Sequence, residues 1–228
     1  MKKKTQAKSY VILTVLLSTI MMCIVDGIIV PPYFVKSAIK IFMFLMIPML
    51  YFVFYKEKSE YLKNLFIPKK KDFLWALGLG AGVFIVILGA YFWLKPLIDL
   101  STIEEALVSG TGVTADNFIV VAIYISFVNS LLEEFFFRGY AFLILKKEKS
   151  KKFAYIFSSL MFALYHVGMT NGWFSILIYL LAMLGLFLGG CIFNFLNDKC
   201  ENIYPSWLVH MCANFAINTI GLILFQII

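Results

Sequence analysis

Seven long apolar runs constrain this chain more than any other feature of its sequence. They cover about residues 9–30, 36–55, 73–97, 117–145, 153–168, 173–196 and 203–227. A helix needs roughly 20 mostly apolar residues to cross the hydrocarbon core of a bilayer. The sequence therefore predicts an all-α fold, a polytopic transmembrane helix bundle of about seven spans.

The composition excludes a soluble globular protein. Hydrophobic residues make up 62% of the chain and charged residues only 14%, with a mean hydropathy of +0.90. Soluble domains carry about half apolar and a quarter charged residues. The four cysteines show no paired spacing, so neither a disulfide framework nor a cysteine-rich zinc site is expected: Cys23, Cys191, Cys200 and Cys212.

The net charge of +7 comes from lysine blocks at the ends of the apolar runs. These blocks are Lys2, Lys3, Lys4 and Lys8; Lys69, Lys70 and Lys71; and Lys146, Lys147, Lys149, Lys151 and Lys152. Such blocks are typical of the positive-inside pattern and of attraction to anionic lipid, not of nucleic-acid binding. Basic and non-basic loops alternate, which predicts a cytoplasmic N-terminus and an external loop before residue 116.

The bias of lysine over arginine, with abundant phenylalanine and isoleucine, suggests an AT-rich bacterial genome. The predicted location is therefore the bacterial plasma membrane, where the lipid bilayer is the main partner.

The rarest polar residues of the chain lie inside its apolar runs. Arg138 is the only arginine, and His166 and His210 are the only histidines. An ionisable group inside a bilayer costs several kcal/mol unless it is paired or lies in a wet cavity. This placement indicates a functional site in the C-terminal four spans.

Helical spacing orders these residues into pairs. Glu134 and Arg138 are four residues apart and share a helix face, which predicts an ion pair between them. Glu133 points about 100° away and is predicted to be free for another role. His210 and Asn214 likewise share a face.

Depth in the membrane indicates that these groups form one site. At about 1.5 Å per residue from the predicted cytoplasmic ends, Glu133 lies about 18 Å deep and His166 about 21 Å deep. By the same count His210 and Asn214 lie about 10 and 17 Å deep. Three separate spans thus bring polar groups to a common layer.

These residue types support hydrolysis of an amide bond in two ways. A buried glutamate near a histidine can hold and deprotonate a water, while a second histidine and an amide stabilise the oxyanion. Alternatively, Glu133, His166 and His210 form a three-ligand set for a catalytic zinc with an open water position. The HExxH zinc signature is absent from the sequence, and both routes remain open.

The ordered set of motifs resembles the CAAX prenyl protease and bacteriocin-processing family, the CPBP or Abi family of intramembrane proteases. The family pattern is Glu-Glu-x-x-x-Arg, then Phe-x-x-x-His, then His-x-x-x-Asn, on successive core helices. The matching residues are Glu133, Glu134 and Arg138; Phe162 and His166; and His210 and Asn214. The resemblance covers about residues 117–220.

The resemblance implies a domain division and a role for each residue. Residues 1–116 would form an N-terminal three-span region with an external loop, and residues 117–228 the catalytic four-helix core. Glu133 would activate water with help from His166, and Glu134 would pair with Arg138. His210 and Asn214 would stabilise the oxyanion, and zinc is a possible cofactor because the family has been described as both metal-dependent and metal-free.

The implied substrate is a peptide or lipidated protein in the membrane. Family members in eukaryotes process prenylated CAAX proteins, whereas bacterial members are tied to bacteriocin immunity or to maturation of peptide signals. Two other functions fit the same residues: a non-catalytic regulator or immunity protein that binds a partner, and a proton-coupled carrier. The carrier ranks lowest, because the polar groups cluster at one depth and no inverted repeat is visible.

Overall fold

The helical architecture agrees with the sequence prediction. The computed structural model describes residues 2–55, 59–68, 70–170 and 172–228, so Lys69 of the predicted lysine blocks lies outside the described residues. The described residues are 88% helical and contain no strand. Seven helices among them are long and apolar enough to cross a membrane, which confirms the predicted all-α bundle of seven spans.

These seven helices are numbered as spans in chain order. Spans 1 to 7 are Gln6–Ile29, Tyr33–Phe54, Asp72–Leu97, Ala115–Glu148, Lys151–Thr170, Ile176–Cys200 and Tyr204–Leu224. Two shorter helical stretches lie between spans: Ser59–Leu65 after span 2, and Leu100–Glu105 continued by Ala106–Thr111 after span 3.

Prolines lie at the start of two spans and beside a π-helical turn in span 2. Pro32 precedes the first helical residue of span 2, and Pro205 lies in the first turn of span 7, where its missing N–H is not needed. Pro48 lies inside span 2 and cannot donate to the carbonyl of Phe44. The turn before it, Phe42–Met46, is π-helical, a form in which the ordinary hydrogen-bond register is already broken.

Span 4 contains two π-helical segments around the Glu-Glu-x-x-x-Arg motif. They are Ile125–Asn129 and Glu134–Phe142, separated by a single α-helical turn, Ser130–Glu133. Insertions of this kind in α-helices occur often at functional sites. The second segment is buried along its whole length, because spans 1, 2, 5 and 6 pack around it.

The core of the bundle joins both halves of the chain. One cluster of buried apolar side chains runs from Ala7 in span 1 to Val209 in span 7, and it includes Phe44, which stacks on Phe136 with ring centres 4.1 Å apart. Span 3 packs chiefly along span 7, and span 5 along span 6. The division at residue 116 and the cytoplasmic N-terminus stay predictions.

Candidate active site

The Glu-Glu-x-x-x-Arg motif lies at the buried centre of the bundle. Glu133 is 2% exposed, and Glu134 and Arg138 are fully buried. Three charged groups at this depth require compensation from their neighbours, since an uncompensated charge in a protein interior costs several kcal/mol.

Glu134 connects span 4 to span 7. Its Oε1 lies 3.3 Å from Nη1 of Arg138 and 2.9 Å from Nδ1 of His210. Because a carboxylate only accepts hydrogen bonds, Nδ1 of His210 carries the hydrogen and donates it. The predicted Glu134–Arg138 ion pair is therefore present, and His210 is its third member.

Two aromatic rings cover the Arg138 guanidinium. Its central carbon lies 4.1 Å from the ring centre of Phe162 and 4.8 Å from that of Phe193. The guanidinium nitrogens meet no well-aligned hydrogen-bond acceptor among the described residues. Cation–π attraction, which strengthens when water is excluded, thus supplements the ion pair. Phe193 also stacks on His210, with ring centres 5.0 Å apart.

Glu133 pairs with a lysine from span 2. Nζ of Lys40 lies 2.5 Å from Oε1 of Glu133, and the Asn129 amide donates to the same oxygen at 2.9 Å. The other oxygen, Oε2, lies 3.7 Å from Nε2 of His210, beyond direct hydrogen-bond distance.

The prediction that Glu133 is free for another role did not include a partner from another span, and Lys40 is one. That prediction considered the neighbours of Glu133 on its own helix, whereas Lys40 reaches it from a span about ninety residues earlier in the chain. A signal for Lys40 was present, because it and Lys36 are lysines inside the second apolar run, where a charge is costly.

His166 lies at an interruption within span 5. The helix Lys151–Tyr165 ends at this residue, and the short helix Val167–Thr170 follows it. Nδ1 of His166 lies 2.8 Å from the carbonyl oxygen of Phe162, which fixes Nδ1 as the donor and leaves Nε2 as an acceptor. Its ring packs against that of Tyr165, and it interacts electrostatically with Glu133.

Asn214 contacts span 4 at a residue that precedes Glu133. Its amide donates to the carbonyl oxygen of Ile125 at 3.2 Å. Ile125 precedes Glu133 by eight residues, about 12 Å along a helix. The structure thus brings Glu133, Glu134, Arg138 and His210 into contact and places Asn214 beside the preceding part of span 4.

The side chains as arranged do not form a zinc ligand set. Among the described residues, no three histidine, cysteine, aspartate or glutamate side chains are grouped so that they could hold a metal ion. The Lys40 ammonium already contacts Oε1 of Glu133, and a second cation there would be repelled. The zinc site stays a prediction.

Comparison with known proteins agrees with the motif resemblance. The family model described as "Type II CAAX prenyl endopeptidase Rce1-like" matches residues 115–216. This range contains all six predicted site residues, from Glu133 to Asn214, but not Lys40. No curated protein and no solved structure matches the chain. Seven membrane-crossing helices describe an integral membrane protein, and the part of it that carries the motifs is similar to the Rce1-like type II CAAX prenyl endopeptidases.

Proposed function

We propose that this protein is an intramembrane endopeptidase in which Glu133 activates the attacking water. The observation that carries the proposal is the position of Glu133. Its carboxylate is buried where spans 2, 4 and 7 meet, with Oε1 held by Lys40 and Asn129 and Oε2 directed toward His210. A carboxylate whose Oε1 is held by two donors can present its Oε2 to accept a proton.

The proposed reaction is direct hydrolysis of a peptide bond. Oε2 of Glu133 takes a proton from water while the water oxygen bonds to the scissile carbonyl carbon. The C–N bond of the tetrahedral intermediate then breaks, and Glu133 returns the proton to the leaving amine. The products are a carboxylic acid and an amine, and the enzyme ends the cycle unchanged.

His166 is assigned the role of orienting the water. Because its Nδ1 donates to the Phe162 carbonyl, its Nε2 presents a lone pair that can accept a hydrogen from the water. His166 stands between the two helices of span 5, Lys151–Tyr165 and Val167–Thr170.

His210 is assigned to the oxyanion. Its Nδ1 already donates to Glu134, so donation from Nε2 requires the imidazolium form. That positive charge would lie between two carboxylates, those of Glu133 and Glu134. Asn214 has a second amide hydrogen beyond the one given to Ile125, and we assign it the same role.

The substrate is proposed to be a membrane-associated peptide or a lipidated protein of the CAAX type. A site enclosed by membrane spans is reached most readily by chains that already lie in or on the bilayer. A secreted peptide processed in the bacterial plasma membrane, for bacteriocin immunity or signal maturation, fits the same chemistry.

The test compares the purified wild type with Glu133→Gln in detergent. Each is incubated with prenylated CAAX peptides and with short leader peptides, and the products are identified by mass spectrometry. We expect cleavage by the wild type alone. Glu105→Gln, which alters an exposed glutamate outside the spans, is the matched control and is expected to cleave normally.

Two outcomes would contradict the proposal. Cleavage by Glu133→Gln would remove Glu133 from the role of base, and absence of cleavage by every variant would favour the non-catalytic regulator. A parallel incubation with chelator tests zinc. If chelator leaves cleavage unchanged, the result supports water activation by Glu133 and His166. If chelator abolishes cleavage and added zinc restores it, the result supports a metal.

A further inference from the structure

Lys40 lies in the candidate site although it comes from span 2, outside the range that matches the family. Its side chain is 3% exposed. Its ammonium donates to Oδ1 of Asn129 and to Oε1 of Glu133, each at 2.5 Å, and also to the hydroxyl of Tyr165. Lys40 therefore ties span 2 to spans 4 and 5 at a single point.

The ammonium is fully coordinated by these neighbours. A lysine has three N–H donors, and here each has its own acceptor. The ring of Tyr165 lies 4.6 Å from Nζ and that of Phe44 lies 5.5 Å away, within the distance of cation–π attraction. Three hydrogen-bond acceptors and two aromatic rings therefore hold the Lys40 ammonium in place.

This coordination restricts the Glu133 carboxylate. Oε1 accepts from both Lys40 and Asn129, so rotation about the last side-chain bond would break two charge-assisted hydrogen bonds. The same restriction keeps Oε2 on the side of His210. Proton transfer depends strongly on such alignment, and small misplacements of a reacting group lower rates by orders of magnitude.

We propose that Lys40 is a positioning residue that fixes the Glu133 carboxylate for water activation, so that the N-terminal spans complete a site otherwise formed by residues 115–216. This inference rests on the proposed function. It assigns to span 2 a part in the reaction beyond anchoring the chain in the membrane.

Lys36 offers a matched control one helical turn before Lys40. Its Nζ pairs with the buried Oδ1 of Asp26 at 2.7 Å, and it makes no contact with Glu133 in the described structure. Lys36→Met therefore also removes one partner of a largely buried ion pair in span 2. It reproduces the structural cost of Lys40→Met without releasing the Glu133 carboxylate.

The experiment measures kcat, KM and Tm for the wild type and for Lys40→Met, Lys40→Arg, Asn129→Leu and Lys36→Met. We expect Lys40→Met to lower kcat by roughly 100-fold with KM little changed, because the interaction lost acts on the transition state. Lys40→Arg keeps the charge and is expected to recover part of kcat. Asn129→Leu leaves the charge of the site unchanged and should lower kcat by about tenfold. Lys36→Met should lower Tm and leave kcat unchanged.

A Tm measurement separates this inference from the proposed function. If Lys40 and Glu133 are paired, the Tm losses of Lys40→Met and Glu133→Gln will not add in the double variant, since each single change leaves a buried partner unpaired. Additive losses would overturn the inference. A Lys40→Met enzyme whose kcat equals that of Lys36→Met would also overturn it while leaving the proposed function intact.

If neither the wild type nor any variant cleaves a peptide, the proposed function fails, and the role of Lys40 in catalysis fails with it. Non-additive Tm losses in that case would show that the pair serves stability. Should Lys40→Met not fold, Lys40→Arg and Asn129→Leu supply the same kcat comparison, and full activity in both would reject the inference.

Discussion

The guanidinium carbon of Arg138 lies 4.1 Å from the ring centre of Phe162, so the arginine of the first motif rests on the phenylalanine of the second. This contact gives Phe162 a physical role beyond filling space, because it compensates a buried charge. It also joins spans 4 and 5 directly beside the Glu134–His210 hydrogen bond.

Loss of either ring over Arg138 should destabilise the protein. We expect Phe162→Leu and Phe193→Leu each to cost about 1–2 kcal/mol in cation–π attraction beyond the loss of packing. For a chain of this size that corresponds to a Tm lower by roughly 3–6 °C in a detergent melting experiment. Phe34→Leu is the control, since this side chain is 83% exposed, and its Tm should match the wild type.

Removal of Arg138 should be more harmful than removal of the whole ion pair. Arg138→Met leaves Glu134 with less compensation in a fully buried position, which typically costs about 3–5 kcal/mol. The double variant Glu134→Gln with Arg138→Met contains no buried charge at either position and should regain much of the lost Tm. A double variant that melts below Arg138→Met would argue against electrostatic compensation as the role of the pair.

Close backbone contact between spans 1 and 5 depends on Gly168, two residues after His166. A methyl group there would come within 2.5 Å of the Cys23 carbonyl oxygen and 3.0 Å of its Cα. Gly168→Ala should therefore push span 1 outward and cost about 1–3 kcal/mol. It should also lower kcat, because the same clash acts on the helix Val167–Thr170, which directly follows His166.

Gly185 provides the control for that substitution. It lies within the span 6 helix, and a methyl group there enters open space, with nothing from the rest of the described chain within 4 Å. Gly185→Ala should leave kcat unchanged and keep or raise Tm, since alanine favours a helix over glycine by about 1 kcal/mol. Equal effects of the two substitutions would refute the close-contact explanation.

The assignment of Asn214 to the oxyanion predicts a difference from Asn218, one turn further along span 7. Asn218 donates to the Ala122 carbonyl at 3.1 Å and to Oγ of Ser126 at 2.9 Å. Asn214→Ala removes one interhelical hydrogen bond and Asn218→Ala removes two, so both should lower Tm, and Asn218→Ala at least as much. Only Asn214→Ala should also lower kcat, by about tenfold or more at unchanged KM. A kcat loss shared by both would reduce Asn214 to a structural residue.

Sequence reasoning was most successful where the membrane acts directly on the chain. Hydrocarbon requires continuous helices of a minimum length, so apolar run length alone predicts seven spans, and the structure contains seven. Helical spacing also predicts the Glu134–Arg138 pair, which forms because both side chains lie on one face of the same span.

Spacing along one helix did not predict which side chains of different spans contact each other. The charges of Lys40 and Asp26 were visible in the apolar runs, but their partners, Glu133 and Lys36, come from other helices. The same is true of Phe193, which no motif marks and which lies between Arg138 and His210.

The sequence by itself determined the fold class, the number of spans and the residue types available for hydrolysis, because each follows from length, hydropathy and spacing along one helix. Only the tertiary structure decided which charged side chains from different spans form pairs. That choice depends on how helices distant in the chain pack together, and it places Lys40 on Glu133 and His210 on Glu134. In a membrane interior, where an unpaired charge is costly, those pairings define the site.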